Sequence, residues 1–103
     1  MPVIAVMYPS ADGATFDENY YTNTHMALVR KCWSGMGLSD TKVMRGVPGP
    51  DGSAPTYMMT ALLTFASMDA FKAAAAAHGK EIFADIPNFT NAKPVMQFNE
   101  ALA

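Results

Sequence analysis

One cysteine, Cys32, stands in this chain of 103 residues, and a single thiol excludes any internal disulfide. With only two histidines, His25 and His78, it also excludes a Cys/His-rich zinc module. No His-x-x-x-His pair or carboxylate cluster offers a metal site by spacing, so no metal is expected. Charge is scarce: 16% of residues are charged, against about 25% in an average soluble domain. The seven basic residues are scattered, only Arg30 and Lys31 are adjacent, and the net charge is −2. That leaves no electrostatic footprint for nucleic acid. No apolar run reaches the roughly 18 residues of a membrane span. Met1-Pro2-Val3-Ile4-Ala5 lacks the basic region and cleavage site of a signal peptide. A reduced, cytoplasmic setting is therefore expected, and the sequon Asn88-Phe89-Thr90 is expected to stay unglycosylated. Gly46–Gly52 lacks the lysine and following helix of a phosphate loop, and Gly35-Met36-Gly37 follows a helix rather than a strand, so neither is a nucleotide-binding fingerprint.

What is present is apolar: 50% of residues are hydrophobic, enough for one core. Residues 1–103 read as a single domain without repeats. Val3 to Tyr8 is a β-branched apolar run closed by Pro9 and predicts a buried strand. Thr15-Phe16-Asp17-Glu18 has the form of a capping box, so Thr15 is expected to cap a helix running to Trp33, with Asp17 the alternative cap. Along it, Tyr21, His25, Leu28 and Cys32 fall at helical spacing, with Val29 and Trp33 beside them. Gly35 and Gly37 are expected to end it. Thr41–Val47 and Tyr57–Ala66 predict two strands around a Gly/Pro-rich hairpin loop. Ser67 predicts the cap of a second helix, ended or interrupted at Gly79, with a further turn over Lys80–Asp85. Val95–Phe98 predicts a last strand.

The order βαββαβ is that of a ferredoxin-like α+β sandwich, in which two helices cover one sheet face. These strands are apolar on both faces. Ile4, Val6 and Tyr8 oppose Val3, Ala5 and Met7; Tyr57, Met59, Leu63 and Phe65 oppose Met58 and Leu62. A bare apolar face of several hundred Å2 or more is rarely left in water, and a second copy, face to face, is its simplest cover. The alternative is a monomer whose long loop covers it.

The segment Tyr8-Pro9 … Phe16 … Tyr20-Tyr21 … His25-Met26-Ala27-Leu28-Val29 resembles the start of the EthD family: a strand ending in Tyr, a loop, then a helix with an aromatic pair and a His followed by small apolar residues. The tail, Asp85-Ile86-Pro87-Asn88-Phe89-Thr90 … Pro94-Val95-Met96-Gln97-Phe98-Asn99, is similar as well. The resemblance implies a dimeric α/β barrel of two ferredoxin-like units. EthD proteins are named for an association with degradation of ethyl tert-butyl ether and are usually grouped with oxidoreductases. The wider fold includes cofactor-independent monooxygenases, small isomerases and haem-binding proteins, so the fold alone fixes no reaction.

His25 is the one residue on the apolar stripe that ordinarily titrates near neutral pH. Tyr21, one turn earlier, can meet it on one face. A His there can move a proton, and a Tyr can donate to a developing oxyanion. The structural alternative is a core histidine satisfied by a backbone carbonyl; the resemblance, which implies a His at this place, favours the catalytic role. Tyr8, Phe16, Trp33, Phe83 and Phe89 are the aromatic candidates for the walls of a pocket taking a small apolar ligand. Core packing is the plain alternative for these rings, as gap-filling is for the nine methionines. His25 could instead ligate haem. Pro2 could serve as the base of a tautomerase, but Met1 blocks its amine and only Arg30 and Arg45 could assist. The expectation is a homodimeric, EthD-like enzyme that oxidises or otherwise transforms a small apolar or aromatic compound without a tightly held cofactor, through His25 and Tyr21. The competing expectation is a non-catalytic binding protein of a degradation pathway.

Overall fold

A computed structural model describes residues 1–103. Four strands, β1 (Pro2–Pro9), β2 (Leu38–Arg45), β3 (Tyr57–Phe65) and β4 (Val95–Glu100), form one antiparallel sheet in the order β2-β3-β1-β4. Two helical layers lie on one face. The first is continuous from Glu18 to Trp33: α1 (Glu18–Tyr20), a π-helical turn (Tyr21–His25) and α2 (Met26–Trp33). The second is α3 (Met68–Ala84). This is the ferredoxin-like α+β sandwich that the element order predicts.

Register sorts the strand side chains into two layers. Across the helix-covered face run the rows Val43-Ala61-Val6-Met96 and Thr41-Leu63-Ile4-Phe98. Ile4 and Phe65 are fully buried beneath the helices, and Met59, Ala61 and Leu63 nearly so. Across the open face run Met44-Thr60-Met7-Val95 and Lys42-Leu62-Ala5-Gln97. The second row has an apolar centre between polar ends, and the first ends in Met44 and Val95, so most of this face is apolar.

The first helix starts differently from the capping-box expectation. Asp17, in extended conformation, is the cap, and its carboxylate accepts from the Tyr20 amide at 3.1 Å. Thr15 is instead stitched to the far end of the chain: its amide donates to Asn91 Oδ1 (2.9 Å), and its carbonyl accepts from the Thr90 hydroxyl (2.6 Å). A carboxylate near helix amides also gains from the helix dipole, which favours Asp17 over a hydroxyl. The π turn then inserts extra residue length into the helix, and the Met26 amide bonds back to the Tyr21 carbonyl. The buried stripe of α2 is consequently Met26, Val29 and Trp33, with Leu28 and Cys32 at its margin.

Other boundaries also move. The second strand begins at Leu38 and ends at Arg45, not Val47. Gly37 sets its start: φ is +99°, and a Cβ there would lie 2.8 Å from the Ala70 Cβ. Ser67 caps α3 through the Ala70 amide at 3.0 Å, as expected. Gly79 neither ends nor interrupts it; the helix runs unbroken to Ala84, because the alanines before it and the packing of Phe71, Ala74 and Ile82 outweigh one poor helix former. The last strand continues past Phe98 to Glu100.

Two stability measurements follow. Asp17→Ala should lower stability by about 1 kcal/mol through loss of the cap, read as a fall in thermal midpoint. At Gly79 the only atom near an added Cβ is the Ala75 Cβ, at an ordinary 3.8 Å. Gly79→Ala should therefore raise stability by up to about 1 kcal/mol. A lower midpoint for that variant would contradict open space at Gly79.

Candidate active site

An internal cavity of about 30 Å3 lies between the helices and the sheet, walled by Val6, Tyr8, Tyr21, His25, Val29, Trp33, Leu63, Phe71, Phe83 and Met96 among others. Apart from His25 and the tyrosine hydroxyls the wall is apolar. Space of that size holds about two water molecules, well short of the roughly 300–1,000 Å3 of a typical ligand pocket.

His25 is 4% exposed. Its Nδ1 lies 2.9 Å from Asp85 Oδ2. Asp85 closes α3, and the turn that follows it (Ile86–Asn88) is tied to the start of the first helix. The Asp17 amide donates to the Phe89 carbonyl (2.7 Å), Phe16 and Thr90 form a β-bridge, and Asn91 Nδ2 donates to the Gly13 carbonyl (2.9 Å). This stitching brings a carboxylate 60 residues distant in sequence against the imidazole. The other carboxylate oxygen accepts from the Tyr20 hydroxyl at 2.5 Å and from Asn88 Nδ2 at 2.9 Å.

The electrostatics follow from those contacts. Burial pushes the Asp85 carboxyl up, but the hydrogen bonds from Tyr20, Asn88 and His25 together outweigh it and hold the group below the usual carboxylate range. It is therefore ionised at neutral pH and can only accept. Burial lowers the His25 pKa below the ordinary histidine value, and Asp85 only partly offsets this. The imidazole is thus neutral at pH 7, its hydrogen sits on Nδ1 facing Asp85, and Nε2 carries the lone pair. The Asp85 contact is His25's only hydrogen bond, and no fully sealed side-chain nitrogen or oxygen lacks a partner. Nε2 must then border open space, and His25 lines the cavity.

The same reasoning applies to the hydroxyls of Tyr8 and Tyr21. Both rings are 1% exposed, and neither phenol is hydrogen-bonded. Burial raises both phenol pKa values far above normal, and for Tyr8 the neighbouring Tyr21 raises it further. They remain protonated donors. Tyr21 stacks on His25, with ring centroids 5.5 Å apart at 15°.

The residues singled out from sequence divide into two groups. Tyr8, Tyr21, His25, Trp33 and Phe83 line the cavity. Trp33 is anchored by its indole N–H to the Ala74 carbonyl (2.8 Å), while Phe83 is 41% exposed and forms the outer wall. Phe16 and Phe89 do not reach the cavity. They border a separate open groove and pack behind the site, Phe89 4.7 Å from the His25 ring and Phe16 5.0 Å from Tyr21. Sequence reasoning passed over Asp85 as the polar partner of His25, and Tyr20 and Asn88 as the donors to its other oxygen. No spacing rule links them; the tail Asp85–Thr90, which carries the family resemblance, is the one sequence signal that points there. No helix is long and apolar enough to cross a membrane.

Comparison with known proteins places the chain in a family. A family model described as the EthD domain matches residues 9–93. The crystal structure of an EthD-like protein from Ralstonia eutropha JMP134 is 34% identical, with a TM-score of 0.92, covering 99% of this chain and 92% of that one. An ethyl tert-butyl ether degradation family protein from Bacillus halodurans C-125 is 23% identical, with a TM-score of 0.77 and 99% coverage of both chains. At 12% identity the likeness to SnoaB, a cofactor-independent oxygenase from Streptomyces nogalater, concerns the fold alone; the TM-score is 0.66, with 99% and 92% of the two chains covered. No protein of curated function matches this chain. With 85 consecutive residues under the family model and a close structural relative along nearly its whole length, the chain belongs to the EthD family.

Proposed function

We propose that this protein is an oxidoreductase-type enzyme in which His25 is the base that takes a proton from a small apolar or aromatic substrate. The observation that carries the reading is the divided imidazole: Nδ1 is held by an ionised Asp85, and Nε2 has no partner in a ring that lines an apolar cavity. A base is most useful where its lone pair is oriented and water is scarce. The protonated phenols of Tyr8 and Tyr21 suit the next need, donation to the enolate or phenolate that proton removal leaves. An activated methylene treated this way can be oxidised by dioxygen itself, CH2 + O2 giving C=O + H2O. That balance draws on no reductant and no resident cofactor. Breakdown of a small organic compound in the cytoplasm, where Cys32 stays a thiol, fits this chemistry and the family.

Entry requires the cavity to widen. Phe83, half outside and half within the wall, is the side chain placed to swing, and Met26 and Met96 are adaptable neighbours. A suitable first probe is 2-indanone, a compact aromatic ketone with acidic benzylic hydrogens. Exchange of those hydrogens in D2O, with dioxygen uptake in parallel, should be accelerated by the protein, abolished in His25→Ala and reduced in Tyr21→Phe. Binding of such ketones with exchange no faster than in buffer would favour the non-catalytic binding reading.

Asp85 acts through His25, as a positioning residue. NMR titration should place the His25 pKa below 6.5, and Asp85→Asn should lower it further, because the carboxylate is the group that raises it. The folded protein binds fewer protons at His25 than the unfolded chain does. Stability should therefore decline as pH falls below about 6.5 and fall again as Asp85 protonates. An unchanged His25 pKa in the variant would contradict the positioning role.

The open sheet face is proposed to be closed by a second copy. Its centre, Val3, Ala5, Met7 and Leu62 with Met44 and Val95 beside them, is flanked by Lys42 and Gln97 at the ends of the central row. Two such faces would bury well over about 1,200 Å2. Sedimentation at micromolar concentration should show a dimer, and Leu62→Arg should yield a folded monomer; a wild-type monomer would refute the pairing.

A further inference from the structure

Outside the cavity, the two helices bring together a second set of reactive groups. Cys32 is the penultimate residue of α2, and His78 and Glu81 stand one turn apart on α3. The Cys32 sulfur, a His78 ring nitrogen and a Glu81 carboxylate oxygen all lie within 4.8 Å of one another. Cys32 Sγ is 3.6 Å from Glu81 Oε1, and His78 Nδ1 is 2.5 Å from the same oxygen. Cys32 and His78 are half-buried and Glu81 is exposed, so an ion can enter from water. Sequence spacing offers no metal module here, because Cys32 and Glu81 are 49 residues apart. Only helix packing assembles the three donors.

We infer that Cys32, His78 and Glu81 form a binding site for a divalent d-block cation, with Zn2+ as the occupant. A tetrahedral zinc ion with ligand bonds of about 2.0–2.3 Å holds its donors roughly 3.3–3.8 Å apart. The sulfur–oxygen separation already falls in that range. The His78–Glu81 contact needs to open by about 1 Å, a small rotation of an exposed carboxylate about its own side chain. One thiolate, one imidazole and one carboxylate form a borderline-soft set that favours zinc over magnesium or calcium. Three protein ligands leave the fourth position to water. The thiol gives up its proton to solvent as the Zn–S bond forms; the hydrogen that His78 Nδ1 directs at Glu81 moves by way of solvent to Nε2, and the Nδ1 lone pair this frees binds the ion in place of the contact with Glu81. Lys31 is the cation near both Cys32 and Glu81, and its charge works against the incoming ion.

The site has a mechanical consequence. Cys32 and Glu81 immediately precede Trp33 and Ile82, which line the cavity from the inner sides of the same helices. A bound ion would clamp the two walls together from outside, at the level of the cavity.

The test uses the full chain, reduced and freed of metal by a chelator, titrated with Co2+. The expected result is a near-ultraviolet sulfur-to-cobalt charge-transfer band that saturates at one ion per chain and is displaced by one equivalent of Zn2+. Cys32→Ser should abolish the band. His78→Ala and Glu81→Gln should each weaken binding by at least about tenfold, with far-ultraviolet circular dichroism showing all three variants folded. Because Cys32 is the only cysteine, its reaction with a thiol reagent is an independent readout, and Zn2+ should slow it in the wild type but not in His78→Ala. No sulfur band, or a band of equal affinity in His78→Ala and Glu81→Gln, would overturn the site. Neither readout depends on turnover at His25, so failure here leaves the cavity reading intact.

Discussion

The site depends on one hydrogen bond, from His25 Nδ1 to the Asp85 carboxylate. A histidine buried this deeply in aromatic surroundings would otherwise be a neutral ring free to take either tautomer. An ionised carboxylate accepts and never donates, so the hydrogen is fixed on Nδ1 and the lone pair on the far nitrogen. Tyr20 and Asn88 complete the arrangement by satisfying the other oxygen, which keeps the carboxylate ionised despite its partial burial. The bond exists because the segment after α3 is laced to the start of the first helix through Thr15, Asp17, Thr90 and Asn91. Those contacts hold the carboxylate, and the carboxylate orients the imidazole.

The π turn from Tyr21 to His25 is the second constraint. It is a single wide turn within an otherwise regular helix, a feature frequent at functional sites. Two consecutive tyrosines leave this helix for different destinations: Tyr20 meets Asp85 on the outer side, and Tyr21 meets the cavity. Tyr8, Phe16, Tyr21 and Phe89 pack around the turn with ring centroids 5.0–5.7 Å apart. Edge-to-face contacts of that kind contribute about 0.5–1.5 kcal/mol each beyond burial, which offsets the looser hydrogen bonding of a wide turn. Phe16 and Phe89 thus serve the site from behind, as the packing that keeps His25 and Tyr21 in place.

The sheet divides the molecule between two demands. One face is closed by the helices and holds the cavity. The other is largely apolar, with Met44 and Val95 at its edges, and a lone protomer leaves it to solvent. Alternation along β1 and β3 creates both faces at once, because successive side chains point to opposite sides.

Much of this was decided locally and was legible in the residues. The apolar runs specified the strands, Ser67 the start of α3, and Gly37 the end of the first helical layer, because each depends on near neighbours alone. The order of those elements specified the ferredoxin-like sandwich. The i, i+4 spacing of Tyr21 and His25 placed ring on ring. Competition between local signals was not legible. Asp17 displaces Thr15 as the cap because Thr15 is drawn into contacts with Thr90 and Asn91, some 75 residues away. The π turn likewise has no local signature, and with it the phase of α2 passes from Leu28 and Cys32 to Val29 and Trp33. Nor could spacing reveal that Asp85 meets His25, or that Cys32 meets His78 and Glu81. Polar pairs of this kind follow from how helices and loops dock, and docking is driven by apolar burial that specifies no particular hydrogen bond. The sequence by itself determined the elements, their order and the place of His25 on the first helix; the tertiary structure alone decided which carboxylate that imidazole meets and which way its lone pair faces.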